Sequence, residues 1–158
     1  MLYLALKYLH IIGAAVLLGT GAGIAFFMAM AHRSGEPELI AGTACIVVIA
    51  DCLFTASAVV LQPITGIAMA QLAGYSVFDG WIAVSIVLYI VIGLFWLPVI
   101  WMQIRMRDLT FEAVRTHSAL PPEYHRLFKL WFACGIPAFA AILVVVWLMI
   151  ARPSLSVG

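Results

Sequence analysis

Charge is what this sequence has least of. Asp, Glu, Lys and Arg make up only 9% of its 158 residues, where a soluble domain carries about a quarter. With a mean hydropathy of +1.16, too little polar surface remains to cover a water-soluble globule. The net charge is +1 and no basic run with interleaved aromatics occurs, so nothing points to nucleic acid. Cysteine is scarce as well. Cys45, Cys52 and Cys134 stand singly inside apolar runs without CxxC spacing, which argues against a zinc site and against a disulfide framework. Gly19-Thr20-Gly21-Ala22-Gly23 has the letters of a nucleotide loop, but it follows no strand and opens no helix.

What the chain does have is hydrophobic length. Its charges cluster, leaving four apolar runs long enough to cross the roughly 30 Å core of a bilayer. Most of these runs lack the polar face that a soluble core helix keeps. The expectation is an all-α polytopic membrane protein: a four-transmembrane-helix bundle forming a single membrane domain over 1–158. The helices should span about 2–31, 39–70, 81–106 and 123–151. Ala29-Met30-Ala31 resembles a cleavage site, but the apolar stretch before it exceeds the usual h-region of about 7–15 residues, so a retained helix is expected.

Punctuation supports these boundaries. Gly35 and Pro37 mark the first connection, and Gly74 to Gly80 marks a tight second one. Pro121-Pro122-Glu123 suits the start of the fourth helix, where proline fits the first turn and glutamate the positive end of the dipole. Pro63, Pro98 and Pro137 fall inside helices and should bend them. The connector 107–122 mixes apolar and charged residues, which predicts a short helix lying on the membrane surface. The tail from Arg152 to Gly158 is short and polar.

Orientation follows from the basic residues. Arg33, Arg105, Arg107, Arg115, Arg126 and Lys129 lie in or beside the first and third connections, and the second has none. Positively charged loops stay in the cytoplasm. Both termini are therefore expected on the periplasmic or extracellular side of a bacterial inner membrane. Tyr3, Tyr75, Trp81, Trp101 and Trp131 near helix ends fit interfacial aromatic belts.

Each polar group in the lipid-spanning runs needs a reason to be there. Lys7 and His10 are three apart and share a helix face. Lys7 can snorkel to the headgroups, whereas His10 lies about two turns deeper than the outer end. A neutral histidine can ligate haem iron through one ring nitrogen; alternatively it bonds to a neighbouring helix. At 1.5 Å per residue, Gln62, Thr65 and Tyr89 reach the level of His10, with Trp147 nearer the surface, so these residues are candidates to line one outer-leaflet pocket.

Asp51 lies deep in the second run, beyond snorkelling reach. It serves a proton relay or ion path, or else it bonds a neighbouring backbone. Gly19 and Gly23 form a small-xxx-small pair suited to helix packing, and Gly66 opens similar space beside Pro63. Gln103, Arg105 and Arg107 end the third helix at the cytoplasmic face. Arg107 with Arg126, Lys129, His117 and His125 would hold anionic headgroups or a carboxylate, unless these charges only set topology.

The opening Lys7-Tyr-Leu-His10-Ile-Ile-Gly resembles the first helix of HemJ, the haem-associated bacterial protoporphyrinogen oxidase. That family's histidine is implicated in haem binding, a role the resemblance would carry to His10. The likeness covers the first helix and the four-helix character. The whole chain is similar to a bacterial family of small integral membrane proteins of unknown function. The features carrying this are Lys7-x-x-His10, Gln62-Pro63-x-Thr65-Gly66, Trp96-Leu-Pro-Val-Ile-Trp-Met-Gln-Ile-Arg105-Met-Arg107, Trp131-Phe-Ala-Cys-Gly-Ile-Pro-Ala-Phe and Trp147-Leu-Met.

The leading expectation is a b-type haem protein with a redox role, His10 being an axial ligand and Lys7, Gln62, Thr65 and Tyr89 shaping its site. The first alternative is a small proton-coupled transporter or channel acting as a homodimer, with Asp51 titrating. A non-catalytic accessory subunit of a larger membrane complex is the second. The sequence leaves open whether the chain is an enzyme.

Overall fold

The computed structural model describes residues 1–153. Four helices are long and apolar enough to cross a membrane: α1 (Leu2–Ser34), α2 (Pro37–Leu72), α3 (Gly80–Arg115) and α4 (Pro122–Ala151). No strand occurs among the described residues. Short connections between long helices force an antiparallel up-and-down order. Consequently the first and third connections share one end of the bundle, while the N-terminus, the second connection and the end of α4 share the other. The expected four-helix bundle is thus the observed architecture.

Local chemistry explains the boundaries. Gly35 ends α1 with φ 71°, and its N–H reaches back to the His32 carbonyl. A left-handed residue there costs glycine little. Pro37 and Pro122 sit in the first turns of α2 and α4, where a missing N–H leaves no bond unmade. All three internal prolines are accommodated within continuous helix. α2 also carries a π-helical turn at Asp51–Thr55. One extra residue per turn re-aims the side chains beyond it.

The connector differs from its sequence expectation. α3 runs on to Arg115, so the short surface helix expected over 107–122 is the last part of a transmembrane helix. Nothing from Arg107 to Arg115 breaks a helix, and Met106, Thr110 and Ala113 are buried. The helix stops at Thr116, before His117 takes a positive φ of 51°.

Packing is uneven along the bundle. The first half of α2 packs against both α1 and α3, whereas its second half, Ala56–Leu72, packs almost wholly against α1. α3 and α4 pack against each other most extensively, and α1 meets α4 only thinly. The main buried core therefore gathers at the end carrying the first and third connections. There Met28, Ile40, Met106 and Tyr124 are almost fully enclosed, with Val47, Met102, Leu127 and Trp131 around them. His32 completes this end, stacked on Phe128 at 3.7 Å and bonded through Nδ1 to the Tyr124 hydroxyl at 3.1 Å. Trp131 is thus a core residue rather than part of an interfacial belt. At the opposite end the helices separate into two pairs.

Candidate functional site

Two polar constellations lie within the membrane-spanning part, and they are distinct. The first sits between α1 and the second half of α2. His10 Nδ1 lies 2.8 Å from Thr65 Oγ1. That hydroxyl has one proton, and its bond to the Leu61 carbonyl at 2.8 Å uses it. With its proton on that carbonyl, the Thr65 oxygen accepts from His10 Nδ1, an arrangement in which the Nε2 lone pair has no partner among the described residues. Gln62 Nε2 donates to the His10 carbonyl at 2.7 Å. Tyr89 reaches across from α3, donating its hydroxyl to the Val59 carbonyl one turn before Gln62.

Two glycines permit this closeness. A Cβ on Gly66 would stand 3.2 Å from His10 Cε1, so the imidazole rests on bare backbone. A Cβ on Gly13 would collide with the Gln62 amide nitrogen. Gly13 was legible only as a small residue one turn after His10. Gly19 and Gly23, the expected packing pair, hold no close interhelical approach. A Cβ on Gly19 meets nothing within 4 Å, and one on Gly23 meets only Phe27 of its own helix, at 3.9 Å. The intimate α1–α2 contact falls instead where a polar side chain needs room.

The second constellation is deeper, at the π-helical turn. Asp51 is buried at 4% exposure. Trp96 Nε1 of α3 donates to its Oδ1 at 3.4 Å. Gln103, expected at the cytoplasmic face, is turned inward and buried. With its amide nitrogen facing Asp51, it donates to Oδ2 at 3.0 Å and accepts from Trp131 Nε1 of α4 at 3.2 Å. One carboxylate thereby ties α2 to α3, and through Gln103 to α4. The π-helical turn that carries Asp51 also packs against α1.

A cavity of about 500 Å³ opens beside this network where the helix pairs diverge. Asp51, Thr55, Gln62, Tyr89, Trp96 and Gln103 line its polar side; apolar residues of all four helices line the rest. His10 and Thr65 are not among its walls. The single pocket expected around His10, Gln62, Thr65, Tyr89 and Trp147 is therefore divided: Gln62 and Tyr89 face the cavity, and His10 with Thr65 lies behind them. Trp147 is 61% exposed and points away. Sequence reading missed Trp96 and Trp131 as parts of this site, because their partners lie on other helices, and Thr55, because other helices complete the cavity it lines.

Lys7 stays exposed on the His10 face, one turn nearer the helix start. The expected cationic cluster gathers only in part. His125, Arg126 and Lys129 border a shallow depression with Leu120 and Pro122, whereas Arg107 pairs with Asp108 at 2.8 Å and His117 lies in the turn after α3. No group of three metal-ligating side chains occurs among the described residues. Among known proteins, no curated sequence and no solved structure matches the chain. The model of one family, described as a predicted integral membrane protein (DUF2269), matches residues 4–153. A bundle of four membrane-length helices, matched over nearly its whole length, makes this chain a member of that integral membrane protein family.

Proposed function

We propose that this chain binds a b-type haem through His10 and serves a redox role in the membrane. The observation that carries the proposal is the Thr65–His10 bond, which presents a neutral imidazole with one fixed tautomer. Histidines that ligate metals are commonly held this way, the second ring nitrogen donating to a nearby oxygen. Gly66 supports the fit, because its missing side chain leaves the ring a flat seat. The likeness of Lys7-x-x-His10 to the HemJ first helix supports it independently.

His10 would supply the axial nitrogen, and Thr65 would hold the ring. Lys7, on the same face, offers a cation to a carboxylate-bearing tetrapyrrole. Gln62 fixes the backbone of His10, and Tyr89 fixes the α2 turn beside Gln62. A haem held by His10 would supply a one-electron redox couple. The test is an absorption spectrum of protein purified after haem-replete expression. A Soret band lost in His10→Ala is expected; no band, or one indifferent to that change, overturns the proposal.

A second reading, a proton-coupled transporter acting as a dimer, is favoured by the burial of Asp51 beside a cavity. Flux into liposomes that depends on pH and disappears in Asp51→Asn would support it; equal flux in that variant would remove Asp51 from the mechanism. Under either reading the distribution of basic residues supports an orientation in which the first and third connections would lie in the cytoplasm and both termini on the opposite side of an inner membrane. Reporter tags on each end check this.

A further inference from the structure

Every buried hydroxyl or amide in the described chain has a hydrogen-bond partner but one. Thr65, Ser85 and Thr110 bond to a carbonyl of the preceding turn. Gln62 bonds to His10, and Gln103 bridges Asp51 and Trp131. The Thr55 hydroxyl, in a residue only 8% exposed, has no partner within 3.5 Å, and the Asp51 carboxyl one turn earlier is the polar side chain beside it. The π-helical turn supplies the reason. In an α-helix a threonine hydroxyl turns back to the carbonyl four residues earlier, which for Thr55 is Asp51. Here the turn is widened, the Asp51 carbonyl taking the N–H of Ala56 five residues on, and the Thr55 hydroxyl makes no bond to it. An unmatched hydroxyl in an apolar surrounding costs about 1–3 kcal/mol, so a position kept that way calls for a partner from outside the chain.

The place where Thr55 is left over is the wall of the 500 Å³ cavity. Nearby stands the Asp51 carboxylate, held by Trp96 and Gln103. The hydroxyl donates to a carbonyl, and the carboxylate accepts from a hydroxyl, so the polar side suits a head group that alternates between these forms. Trp96, Trp131, Phe132 and Phe139 add flat aromatic walls, which favour a planar ring. The remaining wall is apolar and offers nothing to a charged or sugar-bearing molecule. The bilayer itself delivers compounds of this description.

We propose that the cavity beside Asp51 and Thr55 binds a lipid-soluble quinone or its quinol, the ring oxygen meeting Thr55 and Asp51 and the ring lying against Trp96. The site is separate from the His10 proposal, because His10 is not part of the cavity wall, and a failure of haem binding leaves it standing.

The test is quenching of tryptophan fluorescence by a decyl-substituted benzoquinone, titrated into the full-length protein in detergent. A saturable component above the linear micelle background is expected. Thr55→Val should weaken the apparent affinity about fivefold, the factor that a lost hydrogen bond of about 1 kcal/mol predicts. Thr55→Ser restores the hydroxyl and should restore the affinity. Trp96→Phe should remove much of the saturable quench, and Trp147→Phe, at an exposed residue outside the cavity lining, should leave it. Far-UV circular dichroism and melting of each variant separate lost binding from lost fold. No saturable component overturns the proposal, as does equal affinity in a folded Thr55→Val. Equally strong displacement by palmitate would assign the cavity to acyl chains. Spontaneous disulfide bonding between two copies of Ile142→Cys would assign it to a second copy of the chain. Either of those results also overturns the quinone reading.

Discussion

The two ends of this bundle are built differently from equally apolar helices. At the end with the first and third connections, all four helices close on Met28, Ile40, Met106 and Tyr124. At the other end the second half of α2 keeps to α1, α3 keeps to α4, and a cavity opens between the pairs. Hydrophobicity cannot explain the difference, since lipid tails are as apolar as leucine and give helices no reason to associate. Close packing and hydrogen bonds decide. The closed end has interlocking side chains with the His32–Tyr124 bond. The open end is spanned by Tyr89, which reaches Val59, and the Asp51–Gln103–Trp131 chain marks the boundary where the core gives way to the cavity. One end is closed by packing, and the other is held open around a cavity.

The sharpest way to break this comparison is to truncate equivalent side chains at the two ends. Ile40→Ala, at a site with no exposure, should lower stability by about 2 kcal/mol or more, because dispersion contacts on every side are lost. Ile92→Ala borders space that is already open, so less than about 1 kcal/mol is expected. Reversible unfolding in mixed micelles reads both; equal losses would mean that the ends are packed alike.

A glycine pair gives the next largest contrast. Gly13→Val drives a side chain into the Gln62 amide and should cost about 1–3 kcal/mol. It should also remove any Soret band by displacing His10. Gly19→Ala, with open space around it, should change stability by no more than about 0.5 kcal/mol. A large penalty at Gly19 would reveal a partner seated on that face. The smallest effect should come from the Arg105–Glu123 pair. It is bidentate, at 2.8 and 3.1 Å, but exposed and screened by salt. Arg105→Gln should leave the melting temperature nearly unmoved. What it should disturb is orientation, if the basic end is what holds the loops in the cytoplasm.

Some of the site was readable one helix at a time. Lys7 and His10 share a face through helical period alone, and Gln62, Thr65 and Tyr89 follow at matching depth from 1.5 Å per residue. That arithmetic also put Trp147 in the pocket, where it does not belong, because depth says nothing about which way a side chain points. Gln103 shows the converse. Its neighbour Arg105 made it look like a surface residue, yet a two-residue offset on a helix turns Gln103 to the opposite face, which it shares with buried Met106 and Thr110.

The sequence by itself determined that the chain lives in lipid as four helices, since twenty or so apolar residues without charge have no other stable place. It also determined that Asp51 and His10 need partners, because a bare polar group in hydrocarbon is costly. Who those partners are was settled by tertiary structure alone. The π-helical turn that strands Thr55, the bare backbone at Gly13 and Gly66, and the separation of the helix pairs all arise from how neighbouring helices meet. That meeting depends on shapes spread across the whole chain, and no local pattern carries it.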